Sequence, residues 1–169
     1  MEKLFKLLSD AQASLFVLFH KTWVYHWNVV GKDFQQLHTL FGEQYNTIFE
    51  EIDRLSEHMR YLNVKPLSSL NRVLEVSKIK EATSSVNDEG MISDLLQSNI
   101  DFCDIMSKIS EEAEAQKSYA TANLVQDLME SHGKFVWMLR SFSDTSSKKV
   151  QEEVEEVIEE IEEEITTEE

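Results

Sequence analysis

Only four glycines and one proline, Pro66, interrupt these 169 residues. A chain with so few places to turn cannot build the many short strands of a β fold, and it reads as a few long helices. Apolar residues Leu4, Leu8, Leu15, Leu18 and Phe19 recur at helical spacing, and the pattern carries through Trp23 to about Val29. Gly31 then interrupts it. Asp33 is placed to cap a second helix whose apolar stripe includes Leu37, Phe41, Tyr45, Ile48, Ile52, Leu55 and Met59. That helix should end near Leu62, because Asn63 tolerates a left-handed turn and Pro66 follows. A short helix near 69–76 is expected in the connection. After the polar segment 84–90, Asp88 or Ser93 opens a third helix through Leu95, Leu96, Ile100, Ile105 and Ile109. A fourth runs from about Ser118 to Phe142 with Leu124, Leu128, Phe135, Met138 and Leu139 inward. Four long helices with one long middle connection form a bundle.

At 41% hydrophobic residues the chain can bury one core, and the expected division is a bundle domain, 1–145, followed by a tail, 146–169. Charge separates the two. Eleven glutamates and no basic residue fall in 150–169, so of the net −16 only about −5 belongs to residues 1–149. Val150, Val154, Val157, Ile161 and Ile165 trace a narrow apolar stripe along this acidic segment. Packing on the bundle, pairing with other copies and partial disorder all remain open for it. A single cysteine, Cys103, rules out an internal disulfide and a cysteine-based structural zinc site. A reducing, cytoplasmic setting follows as the expectation, because residues 1–20 lack the pattern of an export signal. No stretch reaches the roughly 18 apolar residues of a membrane span.

Two histidines and two acids carry the chemistry. His26 and His38 lie twelve residues apart, and Asp53 and Glu57 stand one helical turn apart on one face of the second helix. Imidazole nitrogen and carboxylate oxygen together suit iron or another borderline first-row metal. His38 and Asp53 are on the same helix, however, and fifteen residues place them about 22 Å apart along its axis. One copy cannot close a site from all four. If they serve one site, the acids come from a second copy running antiparallel across a twofold axis, and the pair of chains then holds two equivalent sites. Single-chain di-iron bundles carry Glu-x-x-His, and no Glu stands three before any of the five histidines here.

At these residues the chain resembles the Dps family of mini-ferritins, the starvation-type DNA-protection proteins. The family pattern reads here as His26-Trp27-Asn28-Val29-Val30-Gly31, then Phe34-Gln35-Gln36-Leu37-His38, then Asp53-Arg54-Leu55-Ser56-Glu57. Phe135-Val136-Trp137-Met138-Leu139-Arg140 is similar to the family's closing segment, and the likeness covers about residues 3–143. It implies an all-α, ferritin-like four-helix bundle that assembles into a hollow homo-oligomeric dodecamer with ferroxidase sites at its twofold interfaces. Fe(II) would be oxidised there by hydrogen peroxide, or more slowly by dioxygen, and stored as ferric mineral. His26 and His38 would be neutral nitrogen ligands, Asp53 and Glu57 the charged ligands of an iron site, dinuclear in the family, and Trp27 an electron relay.

Three positions depart from the family. Gly42 replaces the acid usually found four residues after the second histidine, and Glu43 is rotated about 100° away, which weakens a second iron position. His58 replaces the Arg that commonly follows the Glu. The segment Ser118 to Asn123 lacks the family's acids at the threefold iron entry, leaving Asp127 and Glu130 either as pore lining or as a solvated face. His20, His58 and His132 read as structural or surface residues, Trp23 and Trp27 as core or interface residues first, and Cys103 as buried and inert. Direct DNA binding is not expected, because twelve copies would carry about −192 against phosphate. Two other functions compete: a DNA-associated oligomer without turnover, and a helical shell whose metal site has decayed.

Overall fold

A computed structural model describes residues 1–83 and 86–167, with side chains for 1–83 and 86–143. It contains α1 (Glu2–Asn28), α2 (Phe34–Tyr61), α3 (Leu70–Val76), α4 (Asp88–Ala115) and α5 (Tyr119–Thr167). Among the described residues there is no strand, and no helix is long and apolar enough to cross a membrane. Helices α1 and α2 form one antiparallel hairpin and α4 and α5 the other; α1 packs on α4, and α2 on α5. The connection between the hairpins carries α3, which lies against α1. This is the ferritin-like arrangement. The apolar stripe of the acidic tail lies outside the described side chains.

The helix ends show why the chain turns where it does. Asn63 adopts φ 61°, with its N–H donating to Arg60 O (2.9 Å) and that of Val64 to Met59 O (2.8 Å). These two bonds close a left-handed cap on α2, as the Asn–Pro signal predicts. Lys117 does the same for α4 at φ 57°, a residue type that gives no such warning. At the start of α4, Asn87 Oδ1 accepts from Gly90 N at 3.1 Å. Asp33 stands at the N-cap of α2, yet its side chain makes no capping bond. Gly31, at φ 112°, takes the turn between α1 and α2. A Cβ there would be strained and 3.1 Å from Asp88 Oδ2.

The core is aliphatic and aromatic, with Leu4, Leu8, Leu15, Leu18, Phe41, Ile48, Leu55, Phe102, Leu128 and Leu139 fully buried. Each such side chain contributes about 1.5–3 kcal/mol by leaving water. An ion pair between buried Lys21 and half-buried Asp94 ties the hairpins together. Lys21 Nζ donates to Asp94 Oδ1 (2.7 Å) and Ser98 Oγ (3.0 Å), and Tyr25 OH donates to Asp94 Oδ2 (2.5 Å). Tyr25 OH also accepts from Thr83 N at 3.1 Å, which fastens the connection to α1. Burial, and then the bond to Asp94, push the Tyr25 phenol up to about 12.

Candidate metal centre

The tight turn at Gly31 brings the last turn of α1 beside the first turns of α2, and so joins His26 to His38. The two imidazoles stack with centroids 3.7 Å apart and planes 19° apart. Each is held by the other's main chain. His26 Nδ1 lies 2.7 Å from His38 O, and His38 Nδ1 lies 2.9 Å from His26 O. A carbonyl oxygen only accepts, so both Nδ1 atoms carry the proton, and in a neutral ring the lone pair must sit on Nε2. Among the described residues neither Nε2 has a hydrogen-bond partner, and both rings are half-buried. An imidazole fixed through Nδ1 to a carbonyl with Nε2 open is the arrangement of a metal-binding histidine.

The pair sits in an aromatic surround. Phe34 stacks on His38 at 5.1 Å, and Tyr45 meets His26 edge-on at 5.2 Å. From Tyr45 the contacts continue to Trp23 (6.1 Å) and then to Trp27 (4.5 Å), which is 56% exposed. Gly42 lies directly under His26: a Cβ there would stand 3.2 Å from its Cε1 and 3.4 Å from its Nδ1.

Asp53 and Glu57 are exposed and make no ion pair among the described residues. They remain apart from the histidines. Among the described residues no three of His, Cys, Asp and Glu approach closely enough to hold a metal. His38, Gly42, Tyr45, Phe49 and Asp53 follow one another at four- and three-residue steps, so they share one face of α2. Asp127 faces Arg54 at 3.3 Å, and Glu130 is exposed. His20 is exposed. His58 Nε2 lies 2.8 Å from Thr121 Oγ1, and burial lowers its pKa.

A second polar cluster lies inside the bundle. His132 is fully buried, its Nδ1 2.7 Å from Asn99 Oδ1 and its Nε2 2.9 Å from Glu51 Oε2. Gln44 Nε2 donates to the same Asn99 oxygen at 2.9 Å, and Asn99 Nδ2 donates to Leu95 O at 2.7 Å. His132 as a structural residue is as expected; its partners Gln44, Glu51 and Asn99 were not anticipated. A signal existed, because each occupies an inward register among apolar neighbours: 44 and 51 with Ile48 and Leu55, 99 with Leu95 and Phe102, and 132 with Leu128 and Phe135. Cys103, expected to be buried, is half-buried, its Sγ 3.8 Å from Met129 O; burial raises its thiol pKa.

The hairpin pair with a crossing connection defines the ferritin-like class. The Ferritin-like domain model matches residues 5–149, and the chain belongs to that family, in its Dps branch of mini-ferritins. A DNA protection during starvation protein from Brevibacillus brevis is 32% identical over 136 residues, 80% of this chain and 91% of that one. An uncharacterized low temperature-induced protein from Nostoc sp. is 33% identical over 138 residues, 80% of this chain and 77% of the relative. The crystal structure of a Dps protein from Vibrio cholerae, described as one of the ferritin-like diiron-carboxylate proteins, superposes with a TM-score of 0.80. It shares 30% identity, and the match covers 83% of this chain and 89% of that one.

Proposed function

We propose that this protein is a ferroxidase and iron-storage shell. Fe(II) is its substrate, oxidised by hydrogen peroxide or dioxygen at sites shared between two copies, and the ferric product is kept in the cavity of a dodecamer. Family membership supports iron storage and oxidative protection as the general role. The observation that carries the finer reading is the clamped histidine pair, which presents two open Nε2 atoms with no carboxylate close enough, among the described residues, to complete a metal site.

The shared face of α2 supports the partner's place. His38 and Asp53 are equidistant from a point between Tyr45 and Asn46. Two α2 helices crossing antiparallel at that point set His38 of one copy opposite Asp53 of the other. The surface around the crossing suits burial. Phe49 is 62% exposed and touches Phe19, which lines an apolar cleft of about 370 Å³ together with Leu70 and Leu74. Exposed apolar surface of this kind marks an interaction site.

In the proposed site His26 and His38 supply neutral nitrogen ligands, and the partner's two carboxylates favour Fe(III) over Fe(II) by their charge. Peroxide accepts two electrons, one from each of two Fe(II), and its O–O bond breaks to give two hydroxides. Trp27 and Tyr45 stand where they can pass or absorb a stray oxidising equivalent. Asp127, beside Arg54, and Glu130 are proposed as cation guides. DNA is then protected by removing Fe(II) and peroxide together, without contact, because the acidic shell repels phosphate.

Mixing decides the intersubunit arrangement. Subunits lacking both histidines (His26→Ala with His38→Ala) and subunits lacking both acids (Asp53→Ala with Glu57→Ala) are each expected to be inactive in peroxide-driven Fe(II) oxidation. Co-assembled at equal amounts, they regain about a quarter of wild-type activity, because half the twofold pairs are mixed and each mixed pair rebuilds one of two sites. No regain would refute a site split between copies.

A further inference from the structure

We infer that Gly42 is a positioning residue for His26, and that this seat makes the metal site one with a single tightly held ion. The inference rests on the ferroxidase reading above. Glycine inside a helix is unfavourable, so its presence in the middle of α2 calls for a local reason. The reason is the imidazole lying on it. A Cβ at 3.2 Å from His26 Cε1 would push the ring by a few tenths of an ångström. The ring has little room to give, being held by His38 O at 2.7 Å, by the stack on His38 at 3.7 Å and by the edge of Tyr45 at 5.2 Å.

Gly42 is also one turn beyond His38 on the same face. A carboxylate there would stand beside the imidazoles and serve a second ion. The chain has given that place to the ring. Asn46, the next residue on this side, turns its amide back to donate to Gly42 O at 2.8 Å, and Glu43 is exposed on another face. Rings stacked 3.7 Å apart with planes only 19° apart aim their in-plane lone pairs side by side, so one ion takes one of them. With no carboxylate at 42, the second iron of each turnover has only the other nitrogen from this protomer and is held weakly. Missing its acid, the site is rearranged around His26; it has not decayed.

The test uses the assembled protein, Co(II) as a spectroscopic probe, and Gly42→Ala. Wild type is expected to bind one Co(II) per subunit tightly, with visible ligand-field bands. Gly42→Ala should weaken that binding about tenfold, the loss typical of disturbing what orients a metal ligand. Alanine is the better helix former, so thermal stability should hold or rise while binding falls, which a purely structural role would not produce. A metal-free crystal structure of Gly42→Ala should show the His26 Nδ1 to His38 O bond lengthened or lost. Two Co(II) per subunit in wild type, or an unchanged histidine pair and unchanged affinity in Gly42→Ala, overturns this inference alone. Wild type that binds no Co(II) overturns the ferroxidase reading along with it.

Discussion

His132 and the His26/His38 pair are two ways of placing imidazole in one bundle. His132 is fully buried with both nitrogens engaged, Nδ1 by Asn99 and Nε2 by Glu51. His26 and His38 are half-buried, and among the described residues each engages Nδ1 only. The first arrangement leaves nothing to offer a ligand and gives its effect to stability. The second fixes the ring just as firmly but keeps one lone pair open. Function here is marked by the nitrogen left over after the structural bonds are made, not by the presence of histidine.

The sharpest way to break that contrast is to delete one ring from each. His26→Ala is expected to lower peroxide-driven Fe(II) oxidation by more than about 100-fold, beyond the loss from disturbing a ligand's supports, with little change in melting temperature. Stopped-flow absorbance and calorimetry on one preparation check both halves, and comparable rates in variant and wild type would end the proposal that His26 binds the reacting ion. His132→Ala should do the reverse. Removing it strands the Glu51 carboxylate in the core at a cost of about 3 kcal/mol, seen in denaturant unfolding, with Co(II) affinity unchanged. A large loss of metal binding in His132→Ala would erase the distinction between the two regions.

A smaller effect sharpens the comparison within one turn of helix. Tyr25, adjacent to His26, faces inward and donates to Asp94. Its phenol is raised from 10.0 to about 12, so the folded state favours the protonated form. The stabilisation is complete below pH 10 and is lost as pH rises from 10 towards 12. Alkaline melts of wild type should therefore fall more steeply across that window than those of Tyr25→Phe, and parallel curves would show that burial and the Asp94 bond do not raise the phenol.

Much of the fold was legible because breakers are so scarce: Gly31, Asn63 and Pro66 punctuate the chain where the structure turns it. Lys117 in a left-handed conformation was not legible, since lysine has no preference for it. The histidine pair was visible as a spacing across a turn, but its stacking and its crossed carbonyl bonds are tertiary facts. Gly42 read as a missing ligand because sequence reports the absent carboxylate and not the ring that fills the space. Asn99 and Glu51 were hidden for a different reason: a polar residue on an inward register looks like noise until its partner on another helix is found.

The crossed bonds between His26 and His38 also bear on how quickly an ion is caught. Holding a side chain in one rotamer costs about 0.5–1.5 kcal/mol, and for these two rings that cost is met when α1 turns into α2. Arriving iron meets lone pairs already in position, with no loop to order and no side chain to swing. Capture then proceeds at the pace at which the ion sheds its own water, a property of the metal more than of the protein.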